Sequence, residues 1–284
     1  MNGGNFVALR ADGKRVRKAD PMYTVVPYIM DKRNDAMNMI TVDVPVQPIQ
    51  DYINSKRKEG IRLNHMSVIL AAYIRTVYEF PLLNNFIVNK KIYKHKDFKV
   101  AMVVLKNLVT QEETMSKVKF ELDDNIFEVN KKMTDYVEEN KKTTTVNNTD
   151  KMIKFLVSLP GLLLVGVGLF KLLDRYGLLP KFIVDLSPFH SSLTLTNLAS
   201  IRTNHIYHHI YNFGTTSVFI AMGKNREVAR RKNGEIVFEK CMPLGVVMDE
   251  RICSGIYFAA AFRKLSTYLE NPALLEEKPK TPEN

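Results

Sequence analysis

The hydrophobic and polar positions of this chain divide it into short segments of alternating period. Met39 to Ile49, "MITVDVPVQPI", alternates apolar and polar residues and is rich in β-branched side chains, which predicts a strand. Leu63 to Asn84 repeats apolar residues at helical spacing and stops near Pro81, with Asn64 placed to cap it. Asn84 to Leu105 reads as two or three strands around a basic turn. Asp123 to Lys142 reads as an amphipathic helix with Asp123 and Asp124 at its positive end. Thr143 to Asp150 is a polar loop. In the C-terminal third, "SSLTLTNLASI", "GTTSVFIAMGK" and "GEIVFEKCMPLGVVM" predict strands, and a last helix is expected from Gly255 to about Leu269. No repeat or linker splits the chain, so one α+β domain over 1–284 is expected, with a polar, flexible tail from about residue 273.

One segment breaks the pattern. Met152 to Leu186 is strongly apolar, and its uncharged run Phe155 to Phe170 spans 16 residues, short of the ~20 needed to cross a bilayer. Pro160 and three glycines interrupt it further. A buried or subunit-facing pair of helices is the simplest expectation. An interfacial membrane element, with Lys154, Lys171 and Arg175 at the headgroups, is the second.

Composition changes the picture only a little. With 284 residues, 45% hydrophobic and 25% charged, the chain is an ordinary globular one. Cys241 and Cys253 give neither a disulfide framework nor metal-ligand spacing and read as buried small hydrophobes in a reducing cytosol. No signal peptide is recognisable. The net charge of +11 suits nucleic acid, an anionic membrane or an acidic small ligand. The cations are dispersed and no nucleic-acid motif is present, so nucleic acid is not expected as a partner. The basic run Asn89 to Lys99 is either a solvated hairpin or a phosphate contact for a CoA-type ligand.

Four stretches carry a resemblance: "YEFPLLNNFIVNKKIYKHKDFKVAMVV", "LTLTNLASI", "IYNFGTTSVFIAMGK" and "VVMDERICSGIYFAAAFRKLSTYLENP". In this order, with "VPYIMDKRNDA" near the start, they resemble the catalytic domain of the dihydrolipoamide acyltransferases of 2-oxoacid dehydrogenase complexes. The likeness runs from about Val16 to Pro272. It implies a chloramphenicol acetyltransferase-like two-layer sandwich, a mixed sheet packed with helices. It also implies a homotrimer with its active site in a channel between subunits, a CoA or acyl-CoA substrate and no covalently bound cofactor. The apolar connection at about 150–186 is longer than the family's. The lipoyl and peripheral-subunit-binding domains are absent, so the usual docking to a dehydrogenase complex is not expected.

In that family a histidine takes the proton of an attacking thiol, and a hydroxyl from a neighbouring subunit stabilises the tetrahedral oxyanion. The resemblance places Thr196 on the hydroxyl position. Asp249, Arg251 and Gly255 match the family's Asp-His-Arg-x-x-Asp-Gly turn. Glu250 falls on the histidine and Ser254 on its Asp or Asn partner. With reference pKa values near 8.5, 6.5 and 4.3, moving a thiol proton to His costs roughly 2.7 kcal/mol and to Glu roughly 5.7 kcal/mol. The difference exceeds about a hundredfold in rate if all of it enters the barrier. Burial can raise a carboxylate toward 6–7 and close most of that gap.

"NHIYHHIYN" supplies other bases: His205, His208 and His209 are expected as interface residues, a relocated base or substrate contact, or a weak metal set. If the stretch is extended, His205 and His209 share one face. His65 and His95 read as a helix-start and a turn histidine without a role. Two functions remain open. One is an acyltransferase relative acting on a CoA thioester; a metal-using hydrolase is a remote variant of it. The other is a catalytically inactive trimeric scaffold. The expected location is cytoplasmic, with peripheral membrane contact left open.

Overall fold

The computed structural model describes residues 10–107, 112–142, 157–158 and 161–279. Its main sheet runs β2 (Met37–Pro45), β10 (Glu235–Asp249), β8 (Val218–Met222), β7 (Leu193–Asn197), β5 (Phe98–Asn107), β6 (Glu112–Phe120), with β9 (Arg226–Lys232) paired to the outer half of β10. The sheet is mixed: β7 runs parallel to β5 and to β8, and the other pairs are antiparallel. A small antiparallel sheet, β1 (Gly13–Arg15), β4 (Lys91–His95), β3 (Asn85–Val88), stands beside it.

The two halves of β10 show why its sequence has two textures. Glu235 to Lys240 pairs only with β9 and is mostly exposed. Cys241 to Asp249 pairs with β2 along its length and with β8 from Leu244 to Met248, and is buried throughout. A strand covered on both faces reads as a continuous apolar run rather than an alternation. The β9–β10 turn is Asn233-Gly234, with φ of 52° and 89°, the left-handed pair that matches strand twist in a two-residue hairpin. Asn89-Lys90 does the same between β3 and β4, at φ 48° and 59°.

One face of the sheet is covered by α2 (Val46–Lys58), α3 (His65–Glu79), α4 (Ile126–Lys142) and α7 (Gly255–Glu270). Every residue of α3 from Ser67 to Val77 is buried, so this helix lies inside the layer; it is mostly apolar, and its polar members Ser67, Arg75 and Thr76 are hydrogen-bonded. Asn64 caps it by accepting from the Ser67 N–H at 2.9 Å, as expected. In α4 the cap is Asn125, whose side chain accepts from the Phe127 and Glu128 N–H groups while Glu128 accepts from the Asn125 N–H. This reciprocal pairing starts the helix at Ile126 rather than at Asp123. The opposite face is crossed by Thr203 to Gly214, which lies so close that a Cβ at Gly245 would sit 2.6 Å from the Ile206 carbonyl oxygen and one at Gly223 2.3 Å from the His205 nitrogen.

Several expectations need correction. The strand at Met39–Ile49 ends at Pro45. Val46, Ile49, Tyr52 and Ile53 follow as the buried stripe of α2, with Pro48 tolerated in the first turn. Helix α1 (Pro21–Ile29), β1, β6 and β9 were not anticipated. The tail is tied down through residue 277: Pro272 and Leu275 are buried, Lys56 pairs with Glu276 at 3.0 Å, and Arg75 donates to the Glu277 carbonyl.

The apolar connection forms α5 (Leu162–Tyr176) and α6 (Lys181–Leu186); the polar loop 143–150 and Lys154 lie outside the described residues. Helix α5 ends on Gly177 at φ 72°. The Leu178 N–H bonds to Leu173 O and the Gly177 N–H to Asp174 O, a Schellman closure. Within one chain α5 is not buried: Leu164 is 80% and Val165 67% exposed, and Leu169, Leu172 and Tyr176 are exposed too. No helix among the described residues is long and apolar enough to cross a membrane.

What fixes α5 is a buried cluster of charges. Arg10 donates to the Asp12 carboxylate at 2.9 Å and to the Asp174 carboxylate and carbonyl at 2.6 Å each. His190 Nε2 lies 3.3 Å from Asp174, and its Nδ1 shares a hydrogen bond with Ser187. Burial alone would raise Asp12 and Asp174; the neighbouring Arg10 and His190 outweigh it and hold both below the usual carboxylate range. The ligand atoms of Asp12, Asp174 and His190 all lie within 4.8 Å of one another, but the Arg10 guanidinium already bonds both carboxylates. His95 is a buried β4 residue whose ring packs at a tilt against Phe86, rather than a turn residue. Burial, opposed by Asp12, pushes it down to about 3.

Candidate functional site

Strand β10 delivers Asp249 to its end, fully buried, and the chain turns through Glu250 to Ser254 into α7. Arg251 folds back on Asp249 as a two-pronged pair, with Nε and Nη2 each 2.8 Å from a carboxylate oxygen, and Nη1 reaches the Met30 carbonyl at 3.1 Å. Arg33 adds a longer contact to Asp249 at 3.4 Å. Its other donors go to the carbonyls of Tyr211, Gly214 and Ile87. Asp249 and Arg251 therefore hold the turn, and neither is free to act on a substrate.

Glu250 differs from both neighbours. Its backbone N–H bonds to Ala36 O at 2.9 Å. Its side chain is partly buried and has no hydrogen-bond or ion-pair partner among the described residues. Ser254 caps α7, its hydroxyl accepting from the Tyr257 N–H at 3.1 Å. That is a helix-terminal role and not one of orienting a neighbour's base. Gly255 is exposed and a Cβ there would meet nothing within 4 Å.

Thr196 lies on β7, buried, with its hydroxyl unpaired among the described residues. Register places it opposite Ala221 of β8, which faces Gly245 of β10. Glu250 is five residues beyond Gly245, at the start of the turn that follows β10. Two strand spacings across and five residues along separate the two positions by about 19 Å in one chain, too far for both to touch one reacting group. Next to Thr196, His65, Asn197, Ser200, Arg202 and Lys224 line a cavity of about 570 Å³. His65, given no role from the sequence, opens α3 here with its Nε2 buried and unpaired, and burial lowers its basicity. The capping Asn64 was the available signal for its position, but nothing local announced the cavity.

The three neighbouring histidines do not gather at Glu250. His205 Nε2 is 2.9 Å from Thr41 Oγ1 on β2, which also bonds the Tyr207 hydroxyl at 2.6 Å. His208 stacks on Phe219 at 4.3 Å. His209 lines a small cavity with Met115 and Thr194. The stretch forms no strand, and His205 and His208, rather than His205 and His209, lie over the sheet.

Residues 189–276 match the family model described as the 2-oxoacid dehydrogenases acyltransferase catalytic domain. Solved structures extend the likeness to nearly the whole chain. The cubic core of the pyruvate dehydrogenase multienzyme complex superposes at TM-score 0.59 with 9% identity, covering 97% of this chain and 98% of that one. A chloramphenicol acetyltransferase superposes at 0.54 with 10% identity, covering 90% and 99%. The chain has the chloramphenicol acetyltransferase-like fold of the 2-oxoacid dehydrogenase acyltransferases. Among curated proteins, the dihydrolipoyllysine-residue acetyltransferase component of the acetoin cleaving system of Bacillus subtilis (strain 168) is 32% identical over 85 residues. That match covers 30% of this chain and only 21% of the Bacillus protein. The mixed sheet and its helical layer thus agree with the expected sandwich, and the stretch matched by the family model, residues 189–276, includes both Thr196 and Glu250.

Proposed function

We propose that the protein is an acyltransferase that works as a trimer, with Glu250 of one copy and Thr196 of the next flanking a CoA-type thioester. The observation that carries this reading is the contrast within one turn. Asp249 and Arg251 are consumed by structure, while the carboxylate between them has no partner among the described residues. The separation of about 19 Å within a chain makes a second copy necessary for joint action. The cubic-core relative supports an assembly of this kind.

In the proposed step the acceptor nucleophile gives its proton to Glu250 as it attacks the thioester carbonyl. The Thr196 hydroxyl donates to the oxyanion. Collapse expels the CoA thiolate, which recovers the proton from Glu250. Packing of a second copy over the site would remove the base from water, the condition under which a carboxylate gains basicity. Arg202 and Lys224 beside Thr196 suit the phosphates of such a donor.

The second reading, an inactive trimeric scaffold, is favoured by Ser254, whose hydroxyl caps a helix where an Asp or Asn partner is expected. A panel of acyl-CoAs, read by thiol release, separates the two. The enzyme reading expects turnover that falls at least a hundredfold in Glu250→Gln and tenfold or more in Thr196→Val. Turnover that survives Glu250→Gln moves the base to His65 or the 205–209 histidines. No binding and no turnover across the panel leaves the scaffold. Sedimentation velocity at the same concentrations tests the trimer.

A further inference from the structure

A cavity of about 730 Å³ opens between α5, the β3–β4 turn and the loops at 31–33 and 211–213, and Glu250 and Thr196 do not line it. Its walls carry six cations, Lys32, Arg33, Lys90, Lys171, Arg175 and Arg251, against two carboxylates. Both carboxylates are engaged: Asp174 by Arg10, and Asp31 by Lys90 at 3.5 Å. Lys32 and Lys171 are exposed and have no partner among the described residues, and Arg175 makes only a 3.3 Å bond from Nε to Asn89. The floor adds an independent sign. Arg33, Arg251 and Asp249 are all buried, to 3%, 3% and 0% exposure, so two guanidiniums share one carboxylate under the cavity. A buried excess of positive charge is costly unless an anion offsets it. Burial, reinforced by Arg251, lowers Arg33 in spite of Asp249. Phe189, Tyr211 and Phe213 supply an aromatic wall.

We infer that this cavity, which abuts the Glu250 turn through Arg251 but is lined by neither Glu250 nor Thr196, binds a phosphate-bearing anion. The donors of Arg33 and Arg251 go to carbonyls and to Asp249, so these two set the potential. Direct contact falls to Lys32, Lys171 and Arg175, which approach from the 31–33 loop and from α5 on opposite walls. Such convergence suits a multivalent phosphate better than a single carboxylate. The phosphate has two conceivable sources: a soluble phosphorylated compound, or a lipid headgroup, since α5 carries Leu164, Leu169 and Leu172 exposed on the helix that supplies Lys171 and Arg175.

The test uses the full chain and two probes. Inorganic pyrophosphate is titrated calorimetrically. Co-sedimentation is measured with phosphatidylcholine vesicles, with and without phosphatidic acid. Each is repeated with Lys171→Glu/Arg175→Glu on α5 and, separately, Lys32→Glu on the opposite wall, after thermal melts confirm that both variants fold. Both variants are expected to weaken binding at least tenfold, the scale of a lost charge-assisted contact. Pyrophosphate binding lost in both variants assigns a soluble ligand. Binding confined to vesicles with phosphatidic acid, lost in both variants, assigns the headgroup. Absence of binding to either probe, or equal binding by wild type and variants, overturns the inference. None of these outcomes depends on thiol release, so failure here and failure of the acyltransferase reading are distinguishable.

Discussion

Asp249 and Asp174 are both buried carboxylates held by arginine, yet they are built in opposite ways. Asp249 is gripped by Arg251, two residues away, and the pair stabilises the turn that matches the acyltransferase family. Asp174 is held by Arg10, 164 residues away, and by His190 from a third segment. The first cluster has a local two-pronged pair at its centre, to which Arg33 adds a longer contact from a distant segment, and it carries surplus positive charge beside a cavity. The second is assembled from distant segments and pins the apolar connection to the sheet. Charge committed at both places makes the uncommitted carboxylate of Glu250 the informative one.

The largest expected effect comes from removing either carboxylate. Asp249→Asn strands two buried guanidiniums and should cost about 3–5 kcal/mol in urea denaturation, with Asp174→Asn of the same order. A loss below about 1 kcal/mol for Asp174→Asn would dissolve the second cluster as a structural device. Acid separates the regions next. His95, held near 3 beside Asp12, binds a proton more readily unfolded than folded, so stability is full above about pH 6.5 and falls as pH drops toward 3. Asp12 and Asp174, held below their unfolded values, contribute stability that is present above about pH 4 and lost below it. Melting temperature should decline through this window by the equivalent of a few kcal/mol, and His95→Gln should flatten the upper part. A smaller effect is expected at the sheet face: Gly245→Ala drives a methyl against the Ile206 carbonyl and should cost roughly 1–3 kcal/mol by calorimetry. The smallest concerns the turn itself. Glu250→Gln should change stability by less than about 0.5 kcal/mol; a larger loss would mean that Glu250, like its neighbours, holds the fold.

What could be read from the sequence follows the same division. The turn Asp249–Gly255, helix α3 with its Asn64 cap, and the paired strands at 84–105 were legible because their determinants lie within a few residues. Helix α2 was lost because Val44, Val46 and Ile49 also satisfy the tail of a strand, and only the buried positions Tyr52 and Ile53 decide the period. β6 was lost because an edge strand such as "EETMSKVKF" carries little apolar signal. The cluster around Asp174 and the cavity beside His65 join residues far apart in the chain, which no local pattern encodes. The scattering of His205, His208 and His209 reflects Gly223 and Gly245, whose missing side chains draw that stretch flat onto the sheet.

The position of β10 has a consequence for synthesis. Among the described residues β2 pairs with β10 alone, and the pairing joins Met37 to Asp249, so this edge has no mate until a strand about 200 residues further along the chain has been made. The parallel pairing of Val100 with Leu193 likewise waits on a distant segment. Contacts of such long sequence separation slow folding. Until they close, the buried stretch Ser67 to Val77 of α3 has only part of its sheet to lie on. During synthesis the layer therefore stays unfinished until β10 is made, and that strand inserts between β2 and β8 rather than adding to an edge.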